Sequence, residues 1–289
     1  MSEPAVFVTG ATGTVGHAVA SNLVTAGVPV IAAIRDKADI EKLPAGVTPR
    51  PFSFDYTYSQ CRQAVDGCDR LFLMRPPAIE NVERYLFPLI DAANDARLSQ
   101  IVFLSLQGVQ ANRNTPHHAV EAYLRETESP YTFLRPNFFM QNLSTTYAER
   151  IRDRGEIFVP AGRSRTAFID ARDIGRVAAA AFTQPGHQRK AYTLSGEHTY
   201  TYRQVAERMT EILGKPIRYT RPSEKEYLAE LAAHGAPQDY LDVQKMIYRV
   251  VRWNISAIPN HSIRTLTGTP ATTLDQFIHD YQDVWTWQD

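Results

Sequence analysis

The chain has 289 residues, 31 basic and 31 acidic, with 44% hydrophobic residues. Its length permits a full core that buries about three quarters of the unfolded surface, and the neutral balance, with no block of like charges, argues against a nucleic-acid or membrane-surface protein. No apolar run approaches a membrane span, and the first strand starts at once with no room for a signal peptide, so a cytoplasmic location is expected. Cys61 and Cys68, the two cysteines, fit a reducing compartment. Neither has metal-ligand spacing with a histidine cluster, so no metal site is expected.

The first strand and helix carry the most information. Val6–Thr9 is apolar and leads through Gly10, Gly13 and Gly16 into an amphipathic helix over 15–26. The spacing suits a dinucleotide: Gly10 permits the tight turn, Gly13 the close approach of the ligand, and Gly16 the packing of helix on strand. The N–H groups at the helix start, with the positive end of its dipole, suit a pyrophosphate. Val30–Ile34 closes the βαβ unit.

Strands are then predicted at 48–54, 70–74, 101–105 and 131–135, with helices over 58–65, 82–96 and 116–128 between them. Cys61 falls in a predicted helix and Cys68 in the turn after it. Alternation of strand and helix with continuous apolar strands reads as a doubly wound parallel sheet, buried on both faces. The remainder is less regular. Asp170 with Asp173, Thr201 with Gln204, Ser223 with Glu226 and Thr273 with Gln276 have capping-box or near-capping-box spacing, and Gly214 and Gly235 mark helix ends. No repeat or linker separates this part, which reads as a smaller lobe on the sheet.

The end of the second strand decides between nucleotides in this architecture. Arg35 presents a planar fork of donors to a 2′-phosphate and Lys37 adds charge, which favours NADP, with NAD possible. Asp36 either repels that phosphate or bonds the ribose.

Together, Thr9–Gly16, Phe103-Leu104-Ser105, His117-x-x-x-Glu121, Thr132–Asn142, Phe168–Ile174 and Tyr192–Gly196 resemble the NmrA-like branch of the atypical short-chain dehydrogenase/reductase family over nearly the whole chain. The resemblance implies an α/β Rossmann fold, a doubly wound parallel sheet with a smaller C-terminal substrate lobe. Residues 1–195 would form the NAD(P)-binding domain and 196–289 the lobe. It also implies site residues. Gly10, Thr12, Gly13, Thr14, Val15 and Gly16 would line the pyrophosphate. Arg35 would take the adenosine phosphate and Asp55 would lie near the adenine. Leu73, Met74 and Arg75 would pass under the ribose, while Pro136, Asn137, Phe138 and Phe139 would approach the nicotinamide. The family includes NADPH-dependent quinone and azo-dye reductases, enzymes of secondary metabolism and non-catalytic redox sensors.

Ordinary short-chain dehydrogenases protonate the developing alkoxide with a tyrosine that has a lysine four residues on, and acid catalysis of this kind contributes about a hundredfold to ten-thousandfold. None of the 14 tyrosines here has that lysine. The corresponding helix carries His117 and Glu121, four apart and expected on one face, away from the apolar stripe Val120, Tyr123, Leu124. Glu121 orients His117 as a proton donor, or the two simply stabilise the helix. Ser105 bonds substrate or the nicotinamide ribose, or serves its own backbone; Arg135 anchors the loop. The expected catalytic set is His117, Glu121 and Ser105.

Without a strong proton donor, the easiest acceptors are those whose reduced form is itself a stable anion. The reading is an NADPH-dependent oxidoreductase passing hydride to a flat conjugated acceptor, a quinone or azo compound. Phe138, Phe139, Met140 and Tyr147, joined by Tyr248 and Trp253, would favour such a hydrophobic small molecule. A non-catalytic NAD(P)-binding sensor and a reductase for one secondary metabolite are the alternatives. A monomer or homodimer is expected.

Overall fold

The computed structural model describes residues 4–286. Its strands are β1 (Ala5–Val8), β2 (Val30–Ile34), β3 (Thr48–Pro51), β4 (Cys68–Met74), β5 (Gln100–Leu104), β6 (Tyr131–Pro136), β7 (Glu156–Ile157), β8 (Arg165–Thr166), β9 (Lys190–Leu194), β10 (Tyr200–Thr201) and β11 (Arg218–Tyr219). The helices are α1 (Thr14–Thr25), α2 (Tyr58–Ala64), α3 (Val82–Tyr85), α4 (Phe87–Asp95), α5 (Pro116–Glu126), α6 (Gln141–Ser144), α7 (Ala148–Arg154), α8 (Ala171–Thr183), α9 (Tyr202–Leu213), α10 (Glu224–Ala233), α11 (Gln238–Arg252), α12 (Ser262–Thr267) and α13 (Leu274–Asp280).

The first of two compact units comprises the chain up to Pro136, Ala171–Leu194 and Ser262–Thr269. It holds a seven-stranded sheet in the order β3-β2-β1-β4-β5-β6-β9, every pair parallel. The order reverses between β1 and β4, and in such sheets ligands bind beyond the strand ends at the point of reversal. β1, β2 and β5 are buried along their whole length, as parallel strands covered on both faces must be. On one face Phe7, Leu71, Leu73, Phe103 and Phe133 pack with Leu89, Ile90, Val120 and Leu124 from the helices. Elsewhere in the unit α1 lies against α8. A Cβ added at Gly175 would stand 2.7 Å from the Ala18 backbone, so this contact requires glycine.

Two predicted elements differ, one strand was not expected, and one cysteine is placed differently. The strand at 48–54 ends at Pro51, because Pro49 and Pro51 cannot donate to a ladder and suit only an edge. Phe52 and Phe54 leave the sheet for an edge-to-face cluster with Phe7 and Tyr56, at ring distances of 5.1–5.6 Å. The helix over 82–96 is two helices, since Pro88 lacks an N–H and its ring crowds the carbonyl four residues back; α4 restarts with that proline in its first turn. β9 was not expected as a strand: it is an edge strand whose first residues are exposed, so it shows no apolar run. Cys68 opens β4 rather than sitting in the turn before it.

The second unit comprises Asn137–Asp170, Ser195–His261 and the chain from Pro270 on, so three segments build it rather than the single stretch 196–289. β7 pairs with β11 in parallel and β8 with β10 antiparallel. Its core gathers Ile151, Ile157, Tyr202, Tyr248, Phe277 and Trp285. The Trp285 indole donates to the Leu143 carbonyl at 2.9 Å. Thr201 with Gln204 and Ser223 with Glu226 form full capping boxes, and Thr273 caps α13 by accepting from the Gln276 N–H. Gly214 ends α9 in the left-handed region, and Gly235 follows the end of α10. Among the described residues no helix is long and apolar enough to cross a membrane.

Candidate active site

At the point of reversal, Gly10 turns the chain at φ +67°, and the Gly13 N–H donates to the Gly10 carbonyl at 2.9 Å. Gly13 stands at the N-cap of α1, supplies no side-chain cap, and the first turn carries no acidic residue. Gly13 and Thr14 are exposed. The positive end of the helix is therefore open to an anion. The two later glycines have different duties. A Cβ at Gly13 would meet nothing closer than the Gly10 oxygen at 3.5 Å, whereas at Gly16 it would overlap the Gly10 carbonyl and stand 2.9 Å from the Ala11 nitrogen. Gly16 seats the helix on the loop; Gly13 keeps the approach clear.

Thr9 is a residue the sequence reading passed over. Its hydroxyl donates to the Phe72 carbonyl at 3.0 Å and accepts from the Met74 N–H at 2.9 Å, clamping the ends of β1 and β4 together. A lone threonine ending a buried apolar strand was the available signal. Val15 and Leu73 are buried, so they offer a ligand only their main chain. Met74 packs where a Cβ on Gly10 would lie. Arg75 acts as a loop anchor: its Nη1 donates to the carbonyls of Pro76, Pro77 and Ile79 at 2.6–3.1 Å.

Beyond β2, Arg35 is exposed, while the Asp36 carboxylate accepts from the Ala38 N–H at 3.0 Å and caps a short 3-10 turn over Lys37–Lys42. Asp36 is thus committed to its own backbone. Asp55 lies in the exposed turn past β3, its N–H donating to the Ser53 hydroxyl at 3.2 Å.

Ser105, Glu121 and Arg135 come together as a buried cluster, but not in the arrangement expected. Val120, Glu121 and Leu124 share the buried face of α5, so Glu121 belongs with the apolar stripe rather than opposite it. Its carboxylate accepts from the Ser105 hydroxyl at 2.7 Å and from Arg135 Nε and Nη2 at 2.8 and 2.5 Å. Arg125 Nη2 adds a fourth bond at 2.9 Å. Burial pushes the Glu121 carboxyl up, but the bonds from Arg135, Ser105 and Arg125 outweigh it and hold the group below the ordinary carboxylate range. Glu121 makes no hydrogen bond to His117. That histidine lies 6.0 Å from the Phe103 ring, centre to centre. Burial, with the nearby Arg75 charge adding to it and Glu121 opposing, pushes its pKa down to about 4. At neutral pH the imidazole is uncharged.

In the second unit, Ile169 forms a parallel bridge opposite Phe139, its N–H donating to the Phe138 carbonyl at 2.9 Å and its carbonyl accepting from the Met140 N–H at 2.8 Å. The Asn137 amide donates to the Ser256 carbonyl at 2.8 Å. Tyr147 and Tyr248 bond through their hydroxyls and belong to one core with Phe138 and Met140. Trp253 stands apart from it, 72% exposed.

The NmrA-like family model matches residues 2–267. The chain belongs to the NmrA-like family. This NmrA-like chain is 30% identical over 278 residues to an NAD(P)H azoreductase of Xenophilus azovorans, covering 94% of the chain and 96% of the relative. It is 27% identical to quinone oxidoreductase 2 of Escherichia coli over 245 residues, 82% of this chain and 85% of that one. The crystal structure of an NADPH-dependent quinone oxidoreductase of Escherichia coli complexed with NADPH superposes with a TM-score of 0.86 at 25% identity, covering 96% of this chain and all of that one.

Proposed function

We propose that this NmrA-like protein is an NADPH-dependent oxidoreductase that passes hydride to a flat conjugated acceptor such as a quinone or azo compound. The observation that carries the reading is the exposed, glycine-lined start of α1 at the strand-order reversal, in a chain whose relatives include an NAD(P)H azoreductase and a quinone oxidoreductase. The main-chain N–H groups from Thr14 on would hold the pyrophosphate, and Arg35 the 2′-phosphate. Bound there, a reduced nicotinamide nucleotide supplies the hydride.

The polar residues explain the choice of acceptor. The Ser105 hydroxyl proton is committed to Glu121, and His117 carries no proton it can readily release at neutral pH. Neither suits protonation of an alkoxide in step with hydride transfer. A quinone needs no such help, because its hydroquinone monoanion is stable and takes its proton from water afterwards. His117, Glu121 and Ser105 therefore shape the site rather than act as a proton relay. Phe138 and Phe139 are the proposed aromatic contacts of the acceptor, and the enzyme acts in the cytoplasm as a monomer or homodimer.

The test follows loss of reduced-nicotinamide absorbance when pure protein meets NADPH and a panel of quinones and azo dyes. Turnover with quinones is expected. NADPH binding without oxidation by any acceptor would replace this reading with a redox sensor.

Two further results are expected. Arg35→Ala removes the charge-assisted contact to the phosphate and raises KM for NADPH about 10- to 100-fold while leaving NADH nearly unchanged; equal effects on both nucleotides would remove Arg35 from phosphate recognition. The profile of kcat/KM against pH carries no inflection due to His117 between about pH 6 and 8. An acid limb in that window that disappears in His117→Gln would restore His117 as a proton donor.

A further inference from the structure

We propose that the second unit carries a binding cavity of its own for a neutral, planar aromatic molecule of one or two rings bearing hydroxyl or carbonyl groups. The cavity, open to solvent on one side, has a volume of about 240 Å³ between α7, the segment Glu156–Phe158 and the α10–α11 pair. A cavity of about 150 Å³ accepts benzene, so the volume suits one substituted ring or two fused rings.

The walls decide the chemistry. Phe158, Tyr147, Tyr227 and Leu231 supply aromatic and apolar lining. The Arg150 guanidinium lies over the Phe158 ring, 3.9 Å from its centre. Its charge is already balanced by Glu156 at 3.0 Å and Glu230 at 2.6 Å. The Tyr227 hydroxyl donates to Gln244 at 3.0 Å, and the Tyr147 hydroxyl is engaged with Tyr248. Both phenols are held protonated, Tyr147 pushed up to about 12 by burial.

Inside the cavity Arg150 is paired with Glu156 and Glu230, so an anion there would have to take Arg150 from two carboxylates and a cation would have to take a carboxylate from Arg150, each at a cost in hydration. Glu149, Asp153, Arg154 and His234 also line the cavity, but at its exposed rim, where water and salt screen their charge. A neutral ring loses little hydration and packs against the aromatic and apolar lining. Its hydroxyl or carbonyl groups meet the exposed polar rim, where Glu149, Asp153 and Tyr240 stand.

The experiment titrates 2-naphthol by calorimetry into NADPH-saturated protein without an acceptor, so binding is read apart from turnover. Naphthalene-2-carboxylate and 2-naphthylmethylammonium serve as charged counterparts. Saturable binding of 2-naphthol is expected, at least about tenfold tighter than either charged analogue. Leu231→Trp, which fills the cavity, and Phe158→Leu, which removes an aromatic ring, each weaken it about tenfold or more while NADPH oxidation persists. Thermal unfolding shows which variants are folded, and either one suffices. Lack of saturable binding, equal binding of a charged analogue, or unchanged affinity in a folded variant would overturn the proposal. None of those outcomes bears on the oxidoreductase reading, which is tested by turnover.

Discussion

Glu121→Ala is expected to destabilise the protein by about 3–5 kcal/mol, the cost of leaving a buried charge without its partner. Arg135 is buried and directs Nε and Nη2 onto the Glu121 carboxylate. Removing that carboxylate strands the guanidinium inside the sheet, frees the Ser105 hydroxyl of its acceptor, and cuts Arg125 loose. Denaturant unfolding of the variant measures the loss; a change under about 1 kcal/mol would mean that the cluster adds little beyond a surface pair. The sign of the pH dependence follows. The native carboxyl titrates below the ordinary range, so its stabilisation is present above that range and disappears as pH falls through the native value. His117 acts in the same direction for a different reason. Its native pKa is about 4 against an ordinary 6.5, so the unfolded chain takes the proton first. Stability is full above about 6.5 and falls toward 4. Glu121→Gln and His117→Gln should each flatten part of the acid arm of the wild-type stability curve.

Gly13→Ala and Gly16→Ala are expected to separate ligand space from packing space three residues apart. At Gly13 the new methyl finds ordinary contact at 3.5 Å within the protein, so folding is preserved. In the proposed site that methyl would take up ligand space, and NADPH affinity should drop by about a hundredfold, or roughly 2–3 kcal/mol. At Gly16 the methyl overlaps the Gly10 carbonyl and crowds the Ala11 nitrogen at 2.9 Å. Both groups are backbone, so the helix must shift, costing about 1–3 kcal/mol of stability as well as nucleotide affinity. Thermal unfolding and NADPH titration of the two variants check this. Equal loss of stability in both would contradict the division of roles.

Much of the fold is legible in the sequence because buried parallel strands are nearly continuous apolar runs. Val6–Val8, Val30–Ile34 and Ile101–Leu104 stand out for that reason and lie in interior strands of the sheet. β9 lacked the signal because an edge strand need not be apolar. The break between α3 and α4 was marked by Pro88, but the helical period continued across it. At the site, the glycine spacing marked the turn at Gly10 and the start of α1 directly, since each glycine answers a local steric demand. Glu121 was harder to read. A spacing of four pointed to His117, whereas the carboxylate is satisfied by Arg135, fourteen residues on, and by Ser105 just past the end of β5. Spacing along one helix cannot reveal a partner on another element. Asp36 was ambiguous for a similar reason: whether a carboxylate caps its own backbone or faces a ligand depends on the turn that follows, here the 3-10 turn it caps.

The most direct test of the central claim is a single-turnover experiment in which protein loaded with one equivalent of NADPH is mixed with benzoquinone, alongside the same experiment with NADPH deuterated at the transferred position of the nicotinamide. Stoichiometric oxidation to NADP with formation of hydroquinone, slowed by the deuterium, is expected for hydride transfer at this site. Nucleotide that binds tightly yet remains reduced in the presence of the quinone would contradict it.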